Sequence, residues 1–338
     1  MVTIRDVAER ANVSLGTVSR VLNGHPAVRP VAREAVTRAI AELGYVPNPA
    51  AQSLRRTKSH ALGLVVPDLL SPMTVTLTRA VEDVAERAGY TVFVADSRLD
   101  EGLEASHMAR LLERRVDGLL VSPVQPIAAV ERCVSKMGRV PTVLVQLRKP
   151  VREFPTAFVD EQPAVSECAE HLVALGHRRV AVLHSGSRAA GGRFRRDLIR
   201  GALGERGIAG GGELDRTFAE TGECYAAAMA ALNGPERATA ILVGVHKFVP
   251  PVLRAIRDAK LRVPDDVSVV SFGDSDWAES ISPPLNVVVV DQAAHAEGAM
   301  ALLLNAISGE PLRERHFRSE SIYVRRGSVG PAGGCVND

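Results

Sequence analysis

The chain has 338 residues, 46% of them hydrophobic, with 41 Lys and Arg against 39 Asp and Glu. That length allows two or three domains of ordinary size, and the net charge of +2 and mixed composition are those of a soluble globular protein. The longest purely β-branched run, Val287 to Val290, is far too short to cross a bilayer, which excludes a membrane-spanning segment.

The charge is uneven. Residues 1–60 hold nine Lys and Arg against four acids, and the remainder holds 32 against 35. A small basic module on a mildly acidic body suggests a polyanion partner at one end, with an ordinary solvated surface as the alternative. Arg5, Asp6, Glu9 and Arg10 stand where a signal peptide needs an apolar run, so a cytoplasmic location is expected. Cys133, Cys168, Cys224 and Cys335 lack paired spacing and read as reduced thiols, with no metal site and no cofactor expected.

Three short helices fit residues 3–43. Thr3 can cap the first, with Asp6 reaching back, and Ile4, Val7, Ala8 and Ala11 form its inner stripe. Asn12-Val13 turns and Ser14 caps the second, whose Val18, Val21 and Leu22 face inward at helical spacing. Its outer face then shows Leu15, Gly16, Thr17, Ser19, Arg20 and Asn23. Pro30 suits the first position of the third helix, which Gly44 closes. Two helices joined by a short turn, the second with a polar outer face, describe a helix-turn-helix. Such a helix lies in the major groove, where Arg20 can reach guanine O6 and N7. Ser14, Thr17, Ser19 and Asn23 suit phosphates or base edges, and Leu15 a thymine methyl. An exposed helix with a tolerated glycine is the competing interpretation.

In residues 45–59, "YVPNPAAQSLRRTKS", Asn48 can cap a helix with Pro49 at its first turn. Ala50 to Leu54 make under two turns, too short to be stable alone in water. Leu54 can pack on a twin from a second subunit or wedge into a minor groove, with Arg55, Arg56 and Lys58 on phosphates. From residue 61, eight apolar runs alternate with amphipathic stretches near 73–89, 102–114, 126–137, 163–175, 192–206, 223–232, 249–260 and 292–307. This alternation predicts parallel sheets covered on both faces, in two similar lobes. Ligands of such sheets sit at the carboxyl ends of the strands.

"TIRDVAERANVSLGTVSRVLNG", followed by "AIAELGYVPNPAAQSLRR", resembles the headpiece and hinge of the LacI family of bacterial transcription regulators. The resemblance continues through "GLVVPDLLSP", "LLERRVDGLLVSP", "HLVALGHRRVAVL", "LRVPDDVSVVSFGDSD" and "SPPLNVVVVDQ", and so covers nearly the whole chain. It implies an all-α helix-turn-helix headpiece at residues 1–46, a hinge at 47–60 and an α/β effector domain at 61–330, with a tail at 331–338. The effector domain would be two Rossmann-like lobes of the type I periplasmic-binding-protein kind. Lobe 1 is expected near 61–160 and 291–320, and lobe 2 near 161–290 and 321–330, the last piece a C-terminal strand around Ile322-Tyr323-Val324. The implied partners are near-palindromic operator DNA, a second copy of the chain (with a tetramer left open) and a small-molecule effector.

By that resemblance, Thr3, Ile4, Ser14, Leu15, Gly16, Thr17, Ser19, Arg20 and Asn23 meet DNA, joined by Asn48, Ala51, Gln52, Leu54 and Arg55 of the hinge. The effector is expected among Met73, Thr74, Ser122, Gln146, Arg148, Asp160, Arg195, Phe218, His246, Asp274 and Trp277. Arg29 stands where a small capping residue is usual, so a weaker third-helix start is expected. Several positions depart from the family pattern. Ser71-Pro72-Met73-Thr74 replaces Asn-Pro-aromatic, Gln146-Leu147-Arg148 replaces Asp-Arg, Val245-His246 replaces Asn-Asp, and Phe272-Gly273-Asp274 replaces Phe-Asp-Asp. With those carboxylates thinned out and Arg and His present, an anionic effector is favoured over a neutral sugar. Loss of effector binding is an alternative, and either sign of regulation, inducer or corepressor, is open.

Motifs for phosphate-loop, zinc-protease and nucleophile-elbow chemistry are missing, and "GSRAAGG" lacks the opening of a dinucleotide site. The resemblance implies a repressor controlled by a sugar or an anionic metabolite, with a solute-capture protein and a dinucleotide-dependent enzyme as rivals.

Overall fold

The computed structural model describes residues 2–22, 27–45, 58–136, 138, 140–185, 190–208, 215–218, 221–233, 236–311 and 313–333. It divides into two units, Met1–Ser59 and His60–Asp338.

The first unit holds helices α1 (Ile4–Arg10), α2 (Leu15–Leu22) and α3 (Pro30–Leu43). Thr3 and Asp6 form a reciprocal cap: the Thr3 N–H donates to Asp6 Oδ2 at 2.7 Å, and the Asp6 N–H to Thr3 Oγ1 at 3.4 Å. The Thr3 N–H and the Thr3 hydroxyl, both donating to the Asp6 carboxylate, hold that carboxyl below its ordinary range. The Thr17 N–H donates to Ser14 Oγ at 3.2 Å, which starts α2. α3 begins at Arg29 without a side-chain cap and ends at Gly44, which takes the left-handed conformation (φ +59°) that costs a glycine nothing. Val7, Ala8, Val18, Val36 and Ala39 form the core, flanked by half-buried Ile4, Leu15, Val21 and Leu22. An Arg10–Glu42 ion pair ties α1 to α3.

In the second unit the strands are β1 (Ala61–Val66), β2 (Thr91–Asp96), β3 (Gly118–Val121), β4 (Thr142–Leu147), β5 (Thr156–Asp160), β6 (Val180–Ser185), β7 (Asp215–Phe218), β8 (Ala240–Val243), β9 (Ser268–Phe272), β10 (Asn286–Val290) and β11 (His316–Val324). The helices are α4 (Pro72–Arg87), α5 (Glu101–Glu113), α6 (Ile127–Lys136), α7 (Gln162–Ala174), α8 (Ala190–Gly204), α9 (Thr221–Leu232), α10 (Val249–Asp258), α11 (Asp276–Ser280) and α12 (Gln292–Ser308). Among the described residues the strand order is β2-β1-β3-β4-β5-β11-β10-β9-β8-β6-β7, parallel except for the β10–β11 pair.

Strand β11 joins the two halves of this sheet. His316–Glu320 pair parallel with β5, and Ser321–Val324 pair antiparallel with β10. Each half has its own core on both faces. Leu62, Leu64, Leu120, Val143 and Met300 belong to one side of the first half, and Leu119, Val121, Leu144 and Met108 to the other. The second half is filled likewise by Ile241, Phe248 and Val269, and by Val182, Leu242 and Phe272. The run Leu62 to Val66 is buried throughout, as a strand covered on both faces must be.

Among the described residues, eleven strands stand where eight apolar runs and a C-terminal strand were expected. β5, "TAFVD", has only three apolar residues in a row, and β7, "DRTF", carries an acid and a base, so neither shows the continuous apolar run of its neighbours. No helix among the described residues is long and apolar enough to cross a membrane.

Candidate functional site

Two surfaces answer to the sequence-based expectations, one in each unit. In the first unit, α2 turns Val18 fully inward and leaves Ser14, Gly16 and Arg20 exposed. A Cβ added at Gly16 would meet only Ser14 Oγ, at 3.8 Å, so packing does not require the glycine. The Ser14 and Thr17 hydroxyls lie 2.9 Å apart and share one hydrogen bond, leaving lone pairs and one proton for an outside partner. Thr3, on α1's cap, is exposed, while Ser19 is half-buried. Leu15, expected on the outer face, is half-buried and packs with Ile4 against the headpiece core. Asn23, Asn48, Ala51, Gln52, Leu54 and Arg55 lie outside the described residues.

In the second unit a cavity of about 190 Å³ opens at the carboxyl ends of the strands. Its wall takes Pro67 and Asp68 after β1, Ser71, Met73 and Thr74 at the start of α4, Ser122 after β3, and Gln146, Leu147 and Arg148 at the end of β4. From the other half of the sheet come Arg195 of α8, Val245, His246 and Lys247 after β8, and Phe272 of β9. Met73, Thr74, Ser122, Gln146, Arg148, Arg195 and His246 are thus brought together.

The centre of this wall is a buried ionic chain. Arg195 donates through Nε to Glu161 Oε2 at 3.0 Å, through Nη2 to Oε1 at 2.5 Å, and through Nη1 to the Gly244 carbonyl at 2.8 Å. Arg148 Nε lies 3.2 Å from Glu161 Oε2, and its Nη1 donates to the Gln146 carbonyl at 3.0 Å. Burial alone would raise the Glu161 carboxyl; the two guanidiniums outweigh it and hold the group below its ordinary value. Burial also brings Arg148 down to about 10, with Glu161 opposing and Arg195 adding to the shift, so Arg148 stays protonated at neutral pH.

Gln146 sits at φ +61°, a strained backbone for a residue with a side chain. Its N–H donates to His295 Nε2 at 3.3 Å, and its Nε2 donates to Gln292 Oε1 at 2.9 Å. His295 Nδ1 in turn lies 2.8 Å from Ser319 Oγ of β11. His246 has both ring nitrogens bonded, to the Ser271 and Ser275 hydroxyls at 3.0 and 2.9 Å. Burial holds it below the ordinary histidine range, so the imidazole is neutral.

Three expected effector residues stand off the wall. Asp160 pairs with Arg318 at 2.7 Å, drawn away by β11 alongside. Asp274 is gripped by Arg326 through two bonds of 2.9 and 2.6 Å and lines a smaller neighbouring hollow behind Met73. Trp277 lies behind His246, ring centroids 4.9 Å apart, and packs against the core. The side chain of Phe218 lies outside what is described. Glu161, Asp68 and Lys247 were missed. Glu161 is the neighbour of the chosen Asp160, and a one-residue difference past a strand end decides which carboxylate turns inward. Lys247 Nζ stands 3.7 Å from Asp68 Oδ2, bridging the two halves of the unit.

Residues 3–48 match the profile of the bacterial regulatory proteins of the lacI family. Residues 59–217 match the periplasmic binding proteins and sugar binding domain of the LacI family, and 169–329 a periplasmic binding protein-like domain. The chain belongs to the LacI family. It is 29% identical to the catabolite control protein A of Priestia megaterium, over 90% of this chain and 91% of that one. It is 28% identical to the ribose operon repressor of Escherichia coli strain K12, over 97% and 100%. A lac repressor dimer bound to operator and the anti-inducer ONPF superposes with a TM-score of 0.86 at 26% identity, covering 97% of this chain and 99% of that one. This LacI-family member is a DNA-binding transcription regulator, and its relatives are regulators rather than enzymes.

Proposed function

We propose that the chain works in the cytoplasm as a homodimeric repressor, each headpiece (1–46) reading one half of a near-palindromic operator. The residues around 47–60 act as a hinge that orders only as a pair on DNA, with the two copies of Leu54 wedged into the minor groove. A small molecule held in the cleft of residues 61–330 shifts the balance between binding and release. The observation that carries this reading is the pairing of an exposed, small-residue α2 surface with a walled cavity at the strand carboxyl ends. The relatives' names supply the regulatory direction: one is a ribose operon repressor.

Selection of bound duplexes from random DNA tests the reading. Two inverted copies of one short sequence are expected, and enrichment of no sequence would overturn it. Arg20→Ala should then weaken binding by about 1–3 kcal/mol per half-site and relax the choice of a single base pair. Loss of affinity spread evenly over all sequences would instead assign Arg20 to a phosphate.

A further inference from the structure

The cleft is electrostatically incomplete. Among the described residues, the ionised groups on or directly behind its wall are Arg148, Arg195, Lys247 and Arg326 against Asp68, Glu161 and Asp274. Four positive charges face three negative ones, and Arg326 and Asp274 answer each other. Lys247 and Asp68 answer each other at the mouth. Inside, two guanidiniums share the single Glu161 carboxylate, their side chains 9% and 10% exposed and that of Glu161 3%. Arg148 Nε is buried and makes no hydrogen bond, although it lies 3.2 Å from Glu161 Oε2, so one carboxylate stands between two guanidiniums. A buried unit charge without its counter-ion is expensive, and a ligand of opposite sign relieves that cost.

The wall also refuses one extra acid. A Cβ at Gly273, where the family pattern has an Asp, would stand 3.1 Å from His246 Cβ and 3.3 Å from Met73 Sδ, on a backbone at φ +105°. Met73 and a neutral His246 occupy the place a carboxylate would take, and Asp274 beside them is already paired with Arg326, so that side leaves the arginines unbalanced.

The geometry points to an effector bearing one carboxylate, seated against Arg148 and Arg195 on the side away from Glu161. One negative charge completes the balance; a phosphate monoester brings about 1.5 to 2 and overshoots it. The serine, threonine and glutamine on the same wall (Ser122, Thr74, Gln146) then suit hydroxyls on the rest of the molecule. This rests on the reading of the cleft as the effector site.

The compound need not be identified before the test. A low-molecular-mass bacterial extract is split on an anion-exchange resin into a retained and an unretained fraction, and the melting temperature of the full-length protein is measured with each. The retained fraction should raise it by about 5 °C or more, as ligands well above their Kd do. Phosphatase treatment should leave that rise intact. Arg148→Met should abolish it while the free variant melts no lower than the parent. If only the unretained fraction acts, the effector reading survives and the carboxylate assignment falls. If phosphatase destroys the effect, the charge belongs to a phosphate ester and the assignment falls likewise. If neither fraction acts, the effector reading itself fails, and this inference with it.

Discussion

Glu161 is the residue on which the cleft turns. It is almost fully buried and holds two arginines that would otherwise repel each other across a dry wall. Glu161→Gln keeps the shape and removes the charge, so it should cost about 3–5 kcal/mol, the range for breaking one side of a buried ion pair. Urea unfolding at pH 7 measures this. The folded carboxyl titrates below its ordinary value of 4.5, so its contribution is complete above that pH and is lost as pH falls through the lower folded value. The gap between variant and parent should therefore narrow in acid; a gap that stays constant to pH 3 would detach the effect from ionisation. Sequence reading reached Arg148 and Arg195 but not their shared partner. Residue type and strand-end position identify the neighbourhood of a site, while the direction of each side chain is decided by packing from elements distant in the chain.

Single elements show where local rules suffice and where they fail. The capping box of α1 and the left-handed close of α3 were legible because they are made within four residues. The uncapped start of α3 at Arg29 was legible for the same reason. Arg29→Ser should supply the missing acceptor and stabilise the headpiece by about 0.5–1 kcal/mol, read as a higher melting temperature; no change would mean the donors at that end already find water at no cost. The eight long helices of the second unit fell within two residues of their expected ends. Two strands were not legible, and neither was the meeting of α12 with β11. There Gly298 lies flat against the Phe317 ring, and an added Cβ would stand 2.2 Å from it. No turn requires this glycine; only a contact between residues nineteen apart in the chain, on two different elements, does. Gly298→Ala should destabilise by about 1–3 kcal/mol through overpacking, against the gain alanine normally brings inside a helix. A neutral or stabilising result by chemical denaturation would show that Phe317 yields freely.

Across the whole effector unit, histidines set the acid limit. His184 and His295 are buried and brought to about 4, by burial first and by neighbouring arginines second; burial also lowers His171, His177 and His246. Between pH 6.5 and 4 the unfolded chain takes up protons that the folded one refuses, so stability is full above about 6.5 and falls as pH drops. His184 and His295 should each contribute a slope of up to about 1.4 kcal/mol per pH unit. Urea midpoints at pH 7.5 and 5.5 should differ clearly in the parent and less in His295→Asn. Equal midpoints in the parent would mean these rings charge in place.

Because β11 is held in common by both halves of the sheet, no single break in the main chain separates them into self-sufficient pieces. The polypeptide passes over after β5, returns after β10, and passes over once more in mid-strand, between Glu320 and Ser321. A hybrid that borrows one half of the cleft from a relative must therefore be spliced at three points. The last splice falls inside one continuous strand, at the point where its pairing passes from β5 to β10, and there a slip of one residue would turn every following side chain to the wrong face.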